Sequence, residues 1–445
     1  MENFLIEELT LSNYRKFENV TFQLNPRMNV FIGKNASGKT TVLEAVNVML
    51  GAYLAAYKRY VPSRFVFNIS DSDVLLKTNK AIGGAVTAPS VKQFPCSVSC
   101  HMLWNGELIQ YKRVLEKEGN RTKFAGSNPM QPTVVQWEDL IKAADGSDKD
   151  VIFPIVLYLS SARLWNENKN SKKVESVPLR TDAYQRCLDK KRGSQSSFDY
   201  IRQLVNMASE ENGGKPYPAY QVIMEAIQYS MEEELQTGQE ITYSSRYGEL
   251  ALRKEDGTIL SFDSLSDGYR NVIKIVTDIA TKMCILNPYL GSDILKLTPG
   301  IVVIDELDLS LHPTWQKRIV RILKELFPKV QFVCATHSPF IIQSLEEGEL
   351  IALDEEIDEQ YSGQSIEDIA EDIMGVETPK YSEKKEAMYE AARKYFDALN
   401  QAVSSEELEH LKLELDVLSA EYSDNPAYCA LMQQKYLERK VKIEG

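Results

Sequence analysis

Residues 28–50 constrain the fold of this chain more than any other segment. The apolar run MNVFIG leads into GKNASGKT (33–40), and TVLEAVNVML follows with apolar residues at helical spacing. A strand, a glycine-rich loop and a helix in this order predict a β-loop-α unit of an α/β fold. Every other element must therefore be compatible with a sheet that has helices packed on it.

The glycine-rich loop has the composition of a phosphate-binding loop. Its glycines let backbone N–H groups curl around a phosphate, Lys39 can reach the β- and γ-oxygens, and the hydroxyl of Thr40 can ligate Mg²⁺. The sequence therefore predicts a nucleotide site. The loop residues expected to contact the nucleotide are Gly33, Lys34, Asn35, Ala36, Ser37, Gly38, Lys39, Thr40 and Thr41.

Acidic residues and a histidine follow two further apolar runs. GIVVI leads into Asp305 and Glu306, and QFVCAT leads into His337. An aspartate delivered beside a phosphate loop can anchor Mg²⁺, and the adjacent glutamate can polarise an attacking water. The end of a neighbouring strand would direct His337 at the γ-phosphate. These positions predict Asp305 as a metal anchor, and Glu306, His337 and Lys39 as catalytic residues.

A second candidate phosphate receptor is the segment SLSDGYRN (264–271). Ser266, Asp267 and Gly268 form a turn at the start of a predicted helix, which supplies a hydroxyl, free N–H groups and a favourable dipole. Two receptors in one chain can meet around one nucleotide when two subunits face each other head to tail. The sequence therefore predicts a homo-oligomer with composite sites.

These motifs resemble, in order, those of the ABC-type ATPase heads of the SMC, RecF and OLD-like group. The match runs through GKNASGKT, LSDGYRN, DELDLSLHP and ATHSP, from residue 1 to about residue 355. The resemblance implies ATP and Mg²⁺ as cofactors, a signature turn at 266–268 that reaches the partner's γ-phosphate, and a D-loop at 308–311. It also implies that Arg15 lies near the nucleotide. Gln93 is a candidate for the glutamine loop.

The fold class expected is α/β: an ABC-type P-loop ATPase head with a mixed sheet, an antiparallel β subdomain, a helical insert and a helical C-terminal region. NG at 105–106 between alternating runs predicts an antiparallel hairpin. We expect an N-terminal ATPase lobe at 1–160, a helical insert at 161–260, a C-terminal ATPase lobe at 261–355 and a helical docking region at 356–445.

A compact head without long coiled coils resembles the PtuA family, the ATPases of Septu antiphage systems. This resemblance implies a homo-oligomeric ATPase that restrains a partner HNH nuclease similar to PtuB. The segment after the histidine motif lacks the acidic pattern of a Toprim nuclease, so no nuclease site is expected in the chain. Three alternatives stay open: a nucleotide-gated scaffold without turnover, a sensor resembling AriA with a Toprim effector, and a DNA-repair ATPase resembling RecF.

The charge and the cysteine content limit the cellular location and the binding partners that can be expected. The chain has 51 basic and 64 acidic residues, a net charge of −13, which argues against indiscriminate coating of nucleic acid. Residues 161–205 nevertheless contain ten Lys or Arg and five Asp or Glu, so nucleic acid could be met through the basic insert, 163–202. Six scattered cysteines and the lack of a signal peptide or apolar span predict free thiols, a cytoplasmic location and no membrane contact.

Overall fold

The computed structural model describes residues 3–57, 61–62, 65–77, 90–143, 151–164, 178–190, 195–244, 246–354, 363–374, 383–400 and 405–419. Their contacts divide the chain into two units, Met1–Gln364 and Ser365–Gly445. The strands are β1 (Phe4–Tyr14), β2 (Phe17–Gln23), β3 (Met28–Ile32), β4 (Leu76–Lys77), β5 (Val91–Lys92), β6 (Cys96–Trp104), β7 (Glu107–Leu115), β8 (Lys123–Phe124), β9 (Ile155–Leu159), β10 (Glu240–Ser244), β11 (Glu249–Arg253), β12 (Ile259–Ser261), β13 (Gly300–Ile304), β14 (Val330–Ala335) and β15 (Leu350–Ala352).

The helices are α1 (Lys39–Ala56), α2 (Gln131–Ala143), α3 (Gln195–Glu211), α4 (Pro218–Met231), α5 (Asp267–Leu286), α6 (Ile294–Leu297), α7 (Pro313–Gln316), α8 (Ile319–Leu326), α9 (Pro339–Gln343), α10 (Ile366–Asp368), α11 (Glu383–Asn400) and α12 (Ser405–Ser419). None of the helices in the described ranges is long and apolar enough to cross a bilayer.

A five-stranded parallel sheet forms the centre of the first unit, in the order β15-β3-β14-β13-β9. Every residue of β3, β9, β13 and β14 is buried. Continuous apolar runs suit strands that are covered on both faces, which explains why these segments show no polar alternation. The carboxyl ends of β3, β13 and β14 meet at one edge, where ligands bind in open parallel sheets.

A second, antiparallel sheet has the order β2-β1-β6-β7-β8. The predicted hairpin is confirmed, because β6 pairs with β7 and Trp104 lies opposite Glu107 across the turn at Asn105 and Gly106. Helix α1 contacts strands of both sheets and is buried almost all round, as its apolar composition requires. The antiparallel sheet therefore covers the helix that follows the glycine-rich loop. The predicted fold class is confirmed, with its parallel and antiparallel strands in separate sheets.

The predicted helical insert, 161–260, contains strands as well as helices. Helices α3 and α4 lie within it, but β10, β11 and β12 form a three-stranded antiparallel sheet at its C-terminal end. The helical assignment of residues 240–260 was wrong, because Gly248 and Gly257 take left-handed φ angles of 70° and 81° and turn short alternating segments back on themselves. The boundaries predicted at 160, 260 and 355 remain predictions.

The second unit contains a packed pair of helices in its described part. Helices α11 and α12 pack on each other around a small core, whose fully or nearly buried members are Met388, Ala391, Ala392, Tyr395 and Leu415. This agrees with the expected helical character of the C-terminal region. The tail segment around Cys429 lies outside the described residues, whereas Cys96, Cys100, Cys187, Cys284 and Cys334 are buried free thiols, as predicted.

Candidate nucleotide site

The carboxyl ends of β3, β13 and β14 open onto a cavity of about 370 Å³. Its lining combines the glycine-rich loop with the two motifs that follow β13 and β14. Residues separated by almost 300 positions in sequence therefore meet at one sheet edge, as the alternation of strands and helices predicts. The cavity is lined by Lys16, Asn35, Ala36, Ser37, Gly38, Lys39, Thr40, Thr41, Asp305, Glu306, Ala335, Thr336 and His337.

The glycine-rich loop is wound around the ammonium group of Lys39. Lys39 Nζ donates hydrogen bonds to the carbonyl oxygens of Gly33, at 2.7 Å, and Lys34, at 3.3 Å. Gly38 has φ of +103°, and a Cβ there would come within 2.9 Å of the Phe17 ring, so this position requires glycine. Burial lowers the pKa of Lys39, while nearby carboxylates oppose that shift. The loop thus holds a cation where phosphate oxygens would bind.

Thr40 and Asp305 offer a pair of oxygen ligands at the base of the cavity. Thr40 Oγ1 lies 3.4 Å from Oδ1 and 3.3 Å from Oδ2 of Asp305, which is 6% exposed. Burial and the neighbouring Glu306 raise the pKa of Asp305. Such hard oxygen donors fit Mg²⁺, which takes one or two protein ligands and completes its shell with phosphates and water. Within the described ranges, no cluster of three or more His, Cys, Asp or Glu could hold a metal by itself.

Glu306 is an exposed side chain on a constrained backbone. Its carboxylate lines the cavity, whereas the preceding Asp305 is buried. Its φ of +50° is in the left-handed region, which a residue with a Cβ seldom occupies. Its carbonyl oxygen accepts a hydrogen bond from the backbone N–H of Leu309, at 3.0 Å. Strained residues of this kind cluster at functional sites, where surrounding contacts hold them.

His337 is tied to the turn that follows Glu306. Asp308 Oδ1 accepts hydrogen bonds from the Thr336 hydroxyl, at 2.5 Å, and from the backbone N–H of His337, at 3.1 Å. The His337 side chain lines the cavity and is exposed. The predicted D-loop and the predicted switch histidine are therefore one hydrogen-bonded unit.

Residues 266–268 do not line the cavity of their own chain. Ser266 is the N-cap of α5, and its hydroxyl accepts a hydrogen bond from the backbone N–H of Tyr269 at 3.5 Å. Ser266 and Asp267 are exposed, whereas Gly268 is buried against the predicted D-loop. A Cβ on Gly268 would lie 3.2 Å from the carbonyl oxygen of Ser310. The predicted signature turn is thus exposed at a helix N-terminus outside the cavity.

Two residues implied by the resemblance also lie outside the lining. Arg15 forms ion pairs with Glu44 and Asp73, and its distance to Asp73 Oδ1 is 2.8 Å. Gln93 Nε2 donates to the carbonyl oxygen of Val91 at 2.9 Å. Direct contacts of either residue with a nucleotide therefore remain predictions.

Three residues that the motifs did not indicate take part in the site. Lys16 lines the cavity, with Nζ 3.5 Å from the carbonyl oxygen of Ala36. Asp354, just beyond β15, accepts a hydrogen bond from the backbone N–H of Lys34 at 2.6 Å. Arg163 binds the backbone that carries the acidic pair. Of these three residues, only Lys16 could have been suspected from the sequence, because it is adjacent to Arg15.

The basic insert is described in part. Arg186 pairs with Asp189 at 2.7 Å, and Lys190 pairs with the buried carboxylate of Glu44 at 2.5 Å. These ion pairs reduce the charge that either side chain can offer to phosphate. Five further basic residues of the insert, Lys169, Lys172, Lys173, Lys191 and Arg192, lie outside the described residues.

Comparisons with known proteins place the chain among ATPases. The AAA domain family matches residues 8–246, and the AAA ATPase domain family matches residues 157–342. The chain is 25% identical to a Retron Vc95 probable ATPase of Vibrio cholerae serotype O1 biovar El Tor over 391 residues, covering 79% of this chain and 73% of that protein. A Septu protein PtuA of Bacillus thuringiensis is 34% identical over 137 residues, covering 27% of this chain and 35% of the relative.

The resemblance to PtuA indicated by the motifs is confirmed by this relative, and ATPase character at a general level is confirmed by the matching families. Among solved structures, the SMC head domain from Thermotoga maritima is 15% identical, with a TM-score of 0.41, covering 79% of this chain and 94% of that one.

Proposed function

The chain belongs to the AAA domain family, and on that premise we propose that it hydrolyses ATP at sites shared between head-to-tail copies of itself. One observation carries the proposal. The cavity gathers a phosphate loop, two acids and a histidine, while the second phosphate receptor of the chain is exposed outside it. A second copy could bring that receptor to the open side of the cavity, which would complete the enclosure of a triphosphate.

The residues of the cavity have distinct roles in this proposal. The Lys39 ammonium and the loop N–H groups balance the charge of the β- and γ-phosphates. The carboxylate of Glu306 accepts the proton of the attacking water as the bond from the γ-phosphorus to the ADP oxygen breaks. His337 stabilises charge on the γ-phosphate oxygens. Thr40 and Asp305 would hold Mg²⁺, which when bound neutralises charge on the phosphate oxygens.

The proposed turnover is tested with two variants of the cavity. Glu306→Gln keeps the size of the side chain but removes the base, so it should bind ATP and form an ATP-dependent oligomer without turnover. Lys39→Ala should lose ATP binding altogether. Turnover and particle mass by light scattering are measured for both variants beside the wild type. ATP binding without turnover in the wild type would instead support the nucleotide-gated scaffold.

We further propose that this ATPase restrains an HNH nuclease similar to PtuB in cytoplasmic antiphage defence. The similarity to a Septu protein PtuA supports this partner. Co-expression of the chain with a neighbouring HNH nuclease should give a complex, and phage plating should fall only when both are present. A neighbouring Toprim effector that binds instead would favour the sensor resembling AriA.

A second candidate is an ATPase that works beside a retron. The longer of the two similarities reported above favours it, because the retron relative aligns over 79% of this chain. A retron reverse transcriptase encoded beside the chain, and its copurification with the chain, would decide for this candidate. A DNA-repair role resembling RecF requires stimulation by DNA through residues 163–202. Reversal of the charges of Lys172, Lys173, Lys191 and Arg192 should then abolish that stimulation.

A further inference from the structure

Arg163 is a buried cation that donates hydrogen bonds to the backbone of Asp305 and Glu306, the start of the acidic turn, as well as to the carbonyl oxygen of Ser160. It is 2% exposed and lies in the short helical turn Ser161–Leu164 that follows β9. Its Nη1 donates to the carbonyl oxygen of Asp305 at 2.6 Å, and its Nη2 donates to that of Glu306 at 2.8 Å. Both carbonyls belong to the backbone that aims the two carboxylates. A planar guanidinium fixes such a pair of acceptors in one geometry, as no other side chain does.

Asn271 connects this guanidinium to the signature helix. It lies on α5, three residues after Gly268, and is fully buried. Its Oδ1 accepts a hydrogen bond from Arg163 Nε at 2.9 Å, and its Nδ2 donates to the carbonyl oxygen of Leu309 at 2.6 Å. The side chain therefore joins the start of α5 to the guanidinium on one side and to the predicted D-loop on the other.

The backbone of Glu306 needs external support. Its left-handed φ of +50° is unfavourable for a residue with a Cβ, so surrounding contacts must hold it. The Arg163 contact to the Glu306 carbonyl and the Asn271 contact to Leu309 hold the two ends of this tight turn. Loss of either contact would let the turn relax, and the Glu306 carboxylate would move with it.

We propose that Arg163 and Asn271 are positioning residues that hold the Glu306 carboxylate in its hydrolytic orientation and make it one rigid body with the signature turn. This inference rests on the proposed hydrolysis of ATP. Neither side chain lines the cavity, so we expect neither to contact the nucleotide. Their effect should therefore fall on kcat, which depends on the orientation of the base, and not on ATP binding.

The test compares Asn271→Ala with Asn287→Ala. Asn287 caps the opposite end of the same helix, is equally buried, and exchanges two 2.9 Å hydrogen bonds with the backbone of Phe153. Both variants lose a buried amide, but only Asn271→Ala loosens the acidic turn. We expect kcat of Asn271→Ala to fall by about 10²-fold with KM within about twofold of the wild type. Asn287→Ala should keep both values.

A conservative variant and an exchange experiment complete the test. Asn271→Asp retains an acceptor for Arg163 and should recover part of kcat. Hydrogen exchange of the amides of Leu307 and Leu309 should be faster in Asn271→Ala and Arg163→Lys, but not in Asn287→Ala. Arg163→Lys keeps the charge but not the forked guanidinium, so its kcat should fall as that of Asn271→Ala does. Arg180→Lys, at another buried arginine, should keep the kcat of the wild type.

The outcomes separate this inference from the proposed function. Unchanged kcat in both Asn271→Ala and Arg163→Lys, beside an active wild type, would overturn the positioning role and leave hydrolysis intact. An inactive wild type would overturn the hydrolysis proposal. Amide exchange at Leu307 and Leu309 would then decide whether Arg163 and Asn271 hold the turn, and equal exchange in all variants would overturn that as well.

Discussion

The hydroxyl oxygen of Thr40 lies 3.3 Å from a carboxylate oxygen of Asp305, although 265 positions separate the two residues. Thr40 is the second residue of helix α1, and Asp305 directly follows β13, which is separated from β3 by β14. The two oxygens meet because parallel strands bring their carboxyl ends to one edge. Under the proposed function, these two oxygens would be the protein ligands of a phosphate-bound Mg²⁺.

Removal of the Thr40 hydroxyl should impair Mg²⁺-dependent turnover. Thr40→Val keeps the shape of the side chain but offers no oxygen, so kcat should fall by about 10²-fold at limiting Mg²⁺. Thr40→Ser retains the oxygen and should stay within about tenfold of the wild type. ATP turnover of both variants and the wild type, measured across a Mg²⁺ titration, tests this prediction. If Thr40→Val needs the same Mg²⁺ concentration as the wild type, Thr40 is not a ligand of the metal.

The buried charge of Asp305 should destabilise the nucleotide-free protein. Burial raises the pKa of this carboxyl above 3.8, so the folded state binds its proton more readily than the unfolded state does. The free energy of unfolding therefore falls as pH rises through the folded-state pKa. Asp305→Asn should raise Tm at about pH 8, and the gain should shrink as pH falls through the folded-state pKa, because the wild-type carboxyl becomes protonated there.

Asp256 provides the control of opposite sign. Hydrogen bonding from Thr258 lowers the pKa of this exposed carboxyl, so its charged form contributes stability above the unfolded pKa. Asp256→Asn should therefore give no gain in Tm at about pH 8. An Asp305→Asn protein that is less stable than the wild type at neutral pH would contradict the assignment of a destabilising buried charge.

The carboxylate of Asp354 should weaken ATP binding. It accepts the backbone N–H of Lys34 and is exposed, so its charge lies beside the phosphate loop. Asp354→Asn keeps an acceptor oxygen but removes the repulsion between the carboxylate and the phosphates of ATP. The affinity for ATP should therefore rise by about two- to fivefold at low salt. The gain should largely disappear near about 1 M salt. Glu347→Gln, at an exposed acid of the same stretch, should bind ATP as the wild type does.

Titration with a fluorescent ATP analogue at low and high salt measures both effects. An affinity of Asp354→Asn that is equal to the wild type at low salt would show that this charge does not act on the loop.

The motifs that could be identified from the sequence are those whose functional residues are consecutive in the chain. The glycine-rich loop, the acidic pair after β13 and His337 after β14 could be read because each follows a continuous apolar run, the mark of a strand buried on both faces. Their meeting at one cavity followed from the alternation of strands and helices alone. These features depend on local pattern and on a general rule of sheet topology.

Contacts between distant residues could not be read in this way. Arg163 reaches Asn271 across 108 positions, and Asp354 reaches Lys34 across 320. An isolated arginine in a basic stretch gives no sign that it will be buried. The strands at 240–261 were missed because each is at most five residues long, so the period-two alternation had little room to appear.

The central claim, that each site is built from two copies of the chain, is tested most directly by mixing two inactive variants. Lys39→Ala disables the phosphate loop and leaves the signature turn intact, and Ser266→Arg does the reverse. Each variant alone should be inactive. The two are co-expressed with different tags, and ATP turnover is measured on the mixed oligomer.

Half of the head-to-tail pairs formed from equal amounts contain both variants, and each such pair has one intact site. Turnover should therefore return to about one quarter of the wild-type value. Full activity of Ser266→Arg alone, or no recovery in mixed pairs whose assembly is verified by the two tags, would contradict the composite site.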